Sequence, residues 1–100
     1  MKRETGMVRG SGDVFIDLGF TPAEARNLSL RSDMMTALCD YIERNKLTQA
    51  QAAKRLKVSQ PRISDLTRGE IHKFSLDALV NMLTDAGLDV DLKIKVRKAA

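Results

Sequence analysis

A chain of 100 residues that is 43% hydrophobic and 30% charged has the composition of one small globular domain, not of a disordered or membrane-embedded chain. With no Trp, 4% aromatic residues, one Cys and one His, it has no internal disulfide, no metal-ligand set and no expected cofactor. Its core must come from Leu, Ile, Val, Met and Ala, which suits packed helices. The net charge is +4, yet residues 44–73 alone hold eight basic and two acidic side chains, so the rest of the chain is net negative.

Residues 1–12, with Gly6, Gly10, Ser11 and Gly12, show no periodicity and read as a flexible arm. No Lys-Ser or Lys-Thr pair follows GSGD and no strand precedes it, so it is not a phosphate loop. The opening stretch also lacks the hydrophobic run of a secretory signal, and no later run approaches the roughly 20 apolar residues that span a bilayer. A cytoplasmic protein with no membrane partner is expected. The short apolar run Val14–Leu18 suits either an extended segment or a packed loop.

Thr21, Pro22 and Glu24 form a capping box with Pro at the first helical position, which predicts a helix from Pro22 to about Ser29. A second start follows at Ser32. From there Met34, Leu38, Tyr41, Ile42 and, less strictly, Met35 recur at helical spacing to Arg44, leaving Asp40, Glu43 and Arg44 in water. This helix should brace the unit that follows.

That unit is LTQAQAAKRLKVSQPRISDLTRG, residues 47–69. Thr48 and Ser59 each precede a short helical pattern and can cap it through a side-chain oxygen. Ala52, Ala53, Leu56, Val58, Ile63 and Leu66 fall where two helices crossing at a wide angle press together, with Ala53 small at the closest approach. Facing out are Gln49, Gln60, Arg62, Ser64, Asp65 and Arg68, all able to bond phosphates or base edges. The excess positive charge coincides with this unit and its flanks, as a polyanion partner requires.

After the connector EIHKF, Ser75 opens a further helix with Leu76, Leu79, Val80, Leu83 and Ala86 as its apolar stripe, ended by Gly87. Then Leu88, Val90, Leu92, Ile94 and Val96 alternate with Asp89, Asp91, Lys93, Lys95 and Arg97, the pattern of a half-buried strand. A lone strand with an open edge is unstable, and the Val14–Leu18 run is a weak internal partner. Pairing with the same strand of a second subunit would satisfy it, early Asp facing late Lys.

Residues 47–69 resemble the helix-turn-helix of the Cro and phage-repressor superfamily, the XRE-type regulators, in which a Gln opens the first helix and an [I/V]-S-x-[I/L] pattern runs through the second. VSQPRISDLTRG followed by FSLDALVNMLTDAGLDVDLKI is most similar to the compact HigA-like antitoxins of toxin–antitoxin operons, and the likeness extends over about residues 15–96. One departure is Lys57, at a turn position that is usually Gly. There the backbone must accept a left-handed residue at about 1 kcal/mol or turn differently.

The resemblance implies a lambda-repressor-like, mainly α domain of five helices over residues 13–100, with the C-terminal strand paired across a homodimer. Its two recognition helices would enter successive major grooves about 34 Å apart on a palindromic double-stranded DNA operator. It further implies transcriptional repression and neutralisation of a partner toxin, an mRNA-cleaving ribonuclease of the same operon. The segment Val14–Leu30, outside the reading unit, is a candidate toxin surface. Within the reading unit, Ser59 and Gln60 are the best base readers, Gln60 favouring adenine, and Pro61 can touch a thymine methyl. Arg62 can grip a guanine or a phosphate. Asp65 can accept from a cytosine amino group or orient Arg62 or Arg68, with Ser64 beside it. Thr48 and Gln49, at a helix N-terminus, suit phosphate.

His72 stands alone, Cys39 and the Met residues read as packing, and no carboxylate pair stands out, so no enzymatic activity is expected. Two other readings stay open: a stand-alone or phage-type repressor without a toxin, and a helical module that binds only protein.

Overall fold

Three tripeptides organise the path of this chain: Gly19-Phe20-Thr21, Lys46-Leu47-Thr48 and Lys57-Val58-Ser59. Each follows one helix and precedes the next. The computed structural model describes residues 12–96, which form α1 (Gly12–Asp17), α2 (Pro22–Arg44), α3 (Gln49–Leu56), α4 (Gln60–Thr67), a 3₁₀ turn (Ile71–Lys73) and α5 (Leu76–Asp85).

In each tripeptide the first residue has a positive φ of 99°, 52° or 60°. This left-handed turn lets the next N–H reach back to a carbonyl five residues earlier: Phe20 to Phe15, Leu47 to Ile42, and Val58 to Ala53, all at 3.0–3.1 Å. Carbonyls that the helix end would leave unpaired are thereby satisfied. The middle residue is apolar, and Leu47 and Val58 pack on the core. The third residue caps the following helix, its hydroxyl oxygen accepting from the N–H of Glu24, Gln51 or Arg62. At the other two helix ends the parts are separated. Gly69 and Gly87 turn the chain after α4 and α5, and Phe74-Ser75 opens α5.

Two expectations about the N-terminal half are corrected. Val14–Leu18 is neither extended nor a loop: α1 covers it to Asp17 and packs against α2, with the Phe15 and Phe20 rings edge to face at 6.2 Å. Short apolar runs carry too few turns for periodicity to tell helix from strand. Gly12, assigned to the arm, opens this helix, and residues 1–11 lie outside the described part. The helix expected to stop near Ser29 continues as one 23-residue helix to Arg44. Across the expected break Arg31 Nε donates to Asn27 Oδ1 at 2.7 Å, an i,i+4 pair that ties the two turns together. Ala25, Ser29, Met35 and Leu38 are all buried along its inner stripe.

The core lies where α2 meets α4, α5 and the 3₁₀ turn. Leu38, Leu56, Ile63, Leu66, Phe74 and Leu79 are fully buried, each contributing roughly 1.5–3 kcal/mol by removal from water. Ala52 and Ala53 keep α3 close to α4.

The C-terminal strand is not formed within the single chain. No strand occurs among the described residues, and 88–96 has no regular structure. Leu88 packs against the core, but exposure then climbs through Val90 at 38%, Leu92 at 71% and Ile94 at 84% to Val96 at 96%. A strand exists only as part of a ladder, and the one intrachain candidate, Val14–Leu18, is helical.

Candidate nucleic-acid interface

α3 and α4 are placed by their caps. Thr48 Oγ1 accepts from Gln51 N–H at 3.1 Å while Thr48 N–H donates to Gln51 Oε1 at 2.9 Å, a reciprocal box that fixes the start of α3. Lys57 takes the left-handed conformation, φ 60° and ψ 42°, so the turn is made without Gly and carries the associated strain. Ser59 Oγ then accepts from Arg62 N–H at 3.4 Å, and Pro61 sits in the first turn of α4, where a missing N–H is harmless. Buried Ile63 and Leu66 turn the opposite side of α4 outward.

At the start of α4 Ser59, Gln60 and Pro61 are exposed, and Thr48 and Gln49 are exposed at the start of α3. These five side chains lie at the N-terminal ends of α3 and α4, which carry partial positive charge from the helix dipoles. Lys46, Lys54, Arg55 and Lys57 are exposed on α3 and its flanks and Lys73 at the end of the 3₁₀ turn, Lys57 meeting Asp85 at 3.7 Å and Arg55 Nη1 donating to Tyr41 Oη at 2.9 Å.

The deeper residues are tied to one another. Arg68 donates through Nη1 to Ser64 Oγ at 2.7 Å and through Nη2 to Asp65 Oδ1 at 3.0 Å. Asp65, whose side chain is 18% exposed, also meets Lys73 Nζ at 3.6 Å. Its partners are therefore Arg68 and Lys73. Arg62 folds back on its own chain: Nη1 donates to the Lys73 carbonyl at 2.7 Å, and the guanidinium carbon lies 4.2 Å from the centre of the Phe74 ring.

Two further residues shape this site. Arg31 of α2 donates through Nη1 to the carbonyls of Ile71 and Phe74, both at 3.2 Å, pinning the α4–α5 connector. Phe74, part of what reads as a plain connector, is 1% exposed and central to the core. A signal for it was present: an apolar residue just before the cap Ser75, five residues ahead of Leu79, is the spacing of a hydrophobic staple.

A family model described as a helix-turn-helix domain matches residues 14–95. The chain belongs to this helix-turn-helix domain family. The match runs from α1 into the C-terminal segment. Membership supports DNA binding by a regulator of the helix-turn-helix type, and within the domain α3 and α4 are the helix pair joined by the tight turn. A search of curated proteins found no match. Among the described residues, no helix of the domain is long and apolar enough to cross a membrane, and no cluster of His, Cys, Asp and Glu is suited to holding a metal ion.

Proposed function

We propose that this helix-turn-helix domain is a sequence-specific transcriptional repressor that reads a palindromic operator as a homodimer, in the cytoplasm. The observation that carries this reading is the exposed polar tip of α4, Ser59, Gln60 and Pro61, set on a basic flank beside the exposed N-terminus of α3. Gln60 offers an amide that can pair with adenine in the major groove, and Thr48 and Gln49 are placed for phosphate. Ser64, Asp65 and Arg68 act as one hydrogen-bonded group behind the tip, with Arg68 the member exposed towards DNA.

Two copies are needed for a palindrome, and the C-terminal segment supports a second subunit. Val90, Leu92, Ile94 and Val96 hold apolar side chains in solvent at alternate positions, which an antiparallel ladder with the same segment of a partner would bury. Leu88, already packed on the core, anchors each segment.

The HigA-like wording of VSQPRISDLTRG and of the segment after it carries the finer reading, that of an antitoxin which regulates its own operon and neutralises a ribonuclease toxin. Residues 14–30 suit a protein partner: Val14, Ile16, Leu18 and Phe20 are exposed on and just after α1.

The deciding experiment selects duplexes from a randomised library with the purified protein and measures binding against salt. Affinity for the selected duplex should fall steeply as salt rises, and Gln60→Ala should relax the preference at one base pair of each half-site. Salt-independent or absent binding would leave only a protein-binding module. Co-purification with the product of a neighbouring gene separates an antitoxin from a stand-alone repressor.

A further inference from the structure

We infer that Arg62 serves DNA reading as a positioning residue and makes no contact with base or phosphate. The inference rests on the assignment of α3 and α4 as the reading unit and says how its aim is set.

Both ends of the Arg62 side chain's interactions lie on its own chain. Nη1 donates to the Lys73 carbonyl at 2.7 Å, and the guanidinium carbon lies 4.2 Å from the centre of the Phe74 ring. Phe74 cannot follow Arg62 outward, because it is 1% exposed and packed in the core. The connector is held from a second side chain as well: Arg31 of α2 takes the carbonyls of Ile71 and Phe74. Arginines from α2 and α4 thus grip the same short segment, residues 71–74, and share Phe74. A planar fork that both stacks on a ring and donates in its own plane suits this site, whereas an ammonium does not.

Position along α4 gives the grip its effect. Gln60 and Pro61 are the first two residues of the helix and are exposed; Arg62 is the third. Successive residues of an α-helix are separated by about 100° around the axis, so fixing the direction of Arg62 fixes the direction in which Gln60 projects. A groove contact by Arg62 would need both of its present interactions to be given up. Asp65, the nearest acid of α4 in the site, is occupied with Arg68 and Lys73 and does not compete for it.

The test uses the duplex selected by the wild-type protein from a randomised library, together with all its single-base-pair variants. Arg62→Ala should bind the selected duplex about tenfold or more weakly, lose discrimination at the base pair that Gln60 reads, and keep the wild-type salt slope. Phe74→Leu keeps a buried apolar side chain out of reach of DNA and should give the same profile. Arg62→Lys should not rescue it.

Four results would overturn the inference while leaving DNA binding intact. These are loss of preference at a base pair that Gln60→Ala does not affect, a salt slope reduced by about one with rescue by Lys, a wild-type profile for folded Phe74→Leu, or a lower melting temperature for Arg62→Ala with an unchanged profile. No salt-dependent duplex binding by the wild-type protein would instead remove the DNA assignment, and this inference with it.

Discussion

The guanidinium of Arg62 lies over the ring of Phe74, its carbon 4.2 Å from the ring centre, and so links the third residue of α4 to the residue that precedes the cap of α5. The same guanidinium donates to the Lys73 carbonyl. Cation–ring attraction and one charge-assisted hydrogen bond are each worth about 1 kcal/mol at a half-exposed site. Arg62→Ala should therefore lower unfolding stability by ~1–2 kcal/mol, read as a shift of the urea midpoint at constant slope.

Lys57 holds a left-handed conformation at φ 60°. Lys57→Gly removes the steric strain of a Cβ there and gives up only an ion pair to Asp85 in which Lys57 is 75% exposed. A net gain of about 0.5–1 kcal/mol is expected, and for a chain of this size each kcal/mol raises the melting temperature by roughly 4–8 °C. Calorimetry checks the sign.

At the start of α3, Thr48→Ala removes the oxygen that accepts from Gln51 N–H and leaves half of a reciprocal pair. The expected loss is about 1 kcal/mol, and Thr48→Ser should recover most of it. Thermal melts of both variants without DNA measure the cap apart from any phosphate contact.

Ile94 is 84% exposed, so Ile94→Asp should leave the helical signal and the melting profile of the isolated subunit unchanged. In a ladder between two subunits the new carboxylate would be buried on the apolar face. Sedimentation should then show monomers where the wild-type protein shows dimers; a variant as dimeric as the wild type would exclude this segment as the interface.

Burial, and after it the nearby Asp40 and Glu43 carboxylates, pushes the Cys39 thiol up from its ordinary value of 9.0. Reaction with a disulfide reagent at pH 8 should be slower in the folded protein than in urea. Because the folded value is the higher one, stability tied to the neutral thiol is complete below about pH 9 and is lost as pH rises through the folded value. Cys39→Ala should flatten that part of the alkaline decline.

The reading unit was legible because its signals are local. Thr48, Ser59 and the apolar positions from Ala52 to Leu66 state two capped helices within one stretch of sequence, and the structure has both. The extent of α2 was obscured by Ser32, which has the chemistry of a cap but sits in a helix held across the site by Arg31 and Asn27. α1 was too short for its period to show. The roles of Arg31 and Phe74 depend on contacts 40 or more residues apart in one case and on core burial in the other. The C-terminal alternation is a true property of the sequence, but a strand is a property of a pair.

The tripeptide junctions carry one more consequence, for the time course of folding. Each closes its backbone bond over five residues and caps the next helix three residues on, so the turns joining α1 to α4 form from neighbours in sequence without waiting for distant contacts. Helical chains built in this way fold in roughly microseconds to milliseconds. The slow event should be the docking of α5 onto α2, which closes the longest loop in the core, and a Leu79→Ala variant should slow it more than an Ala23→Gly variant in α2.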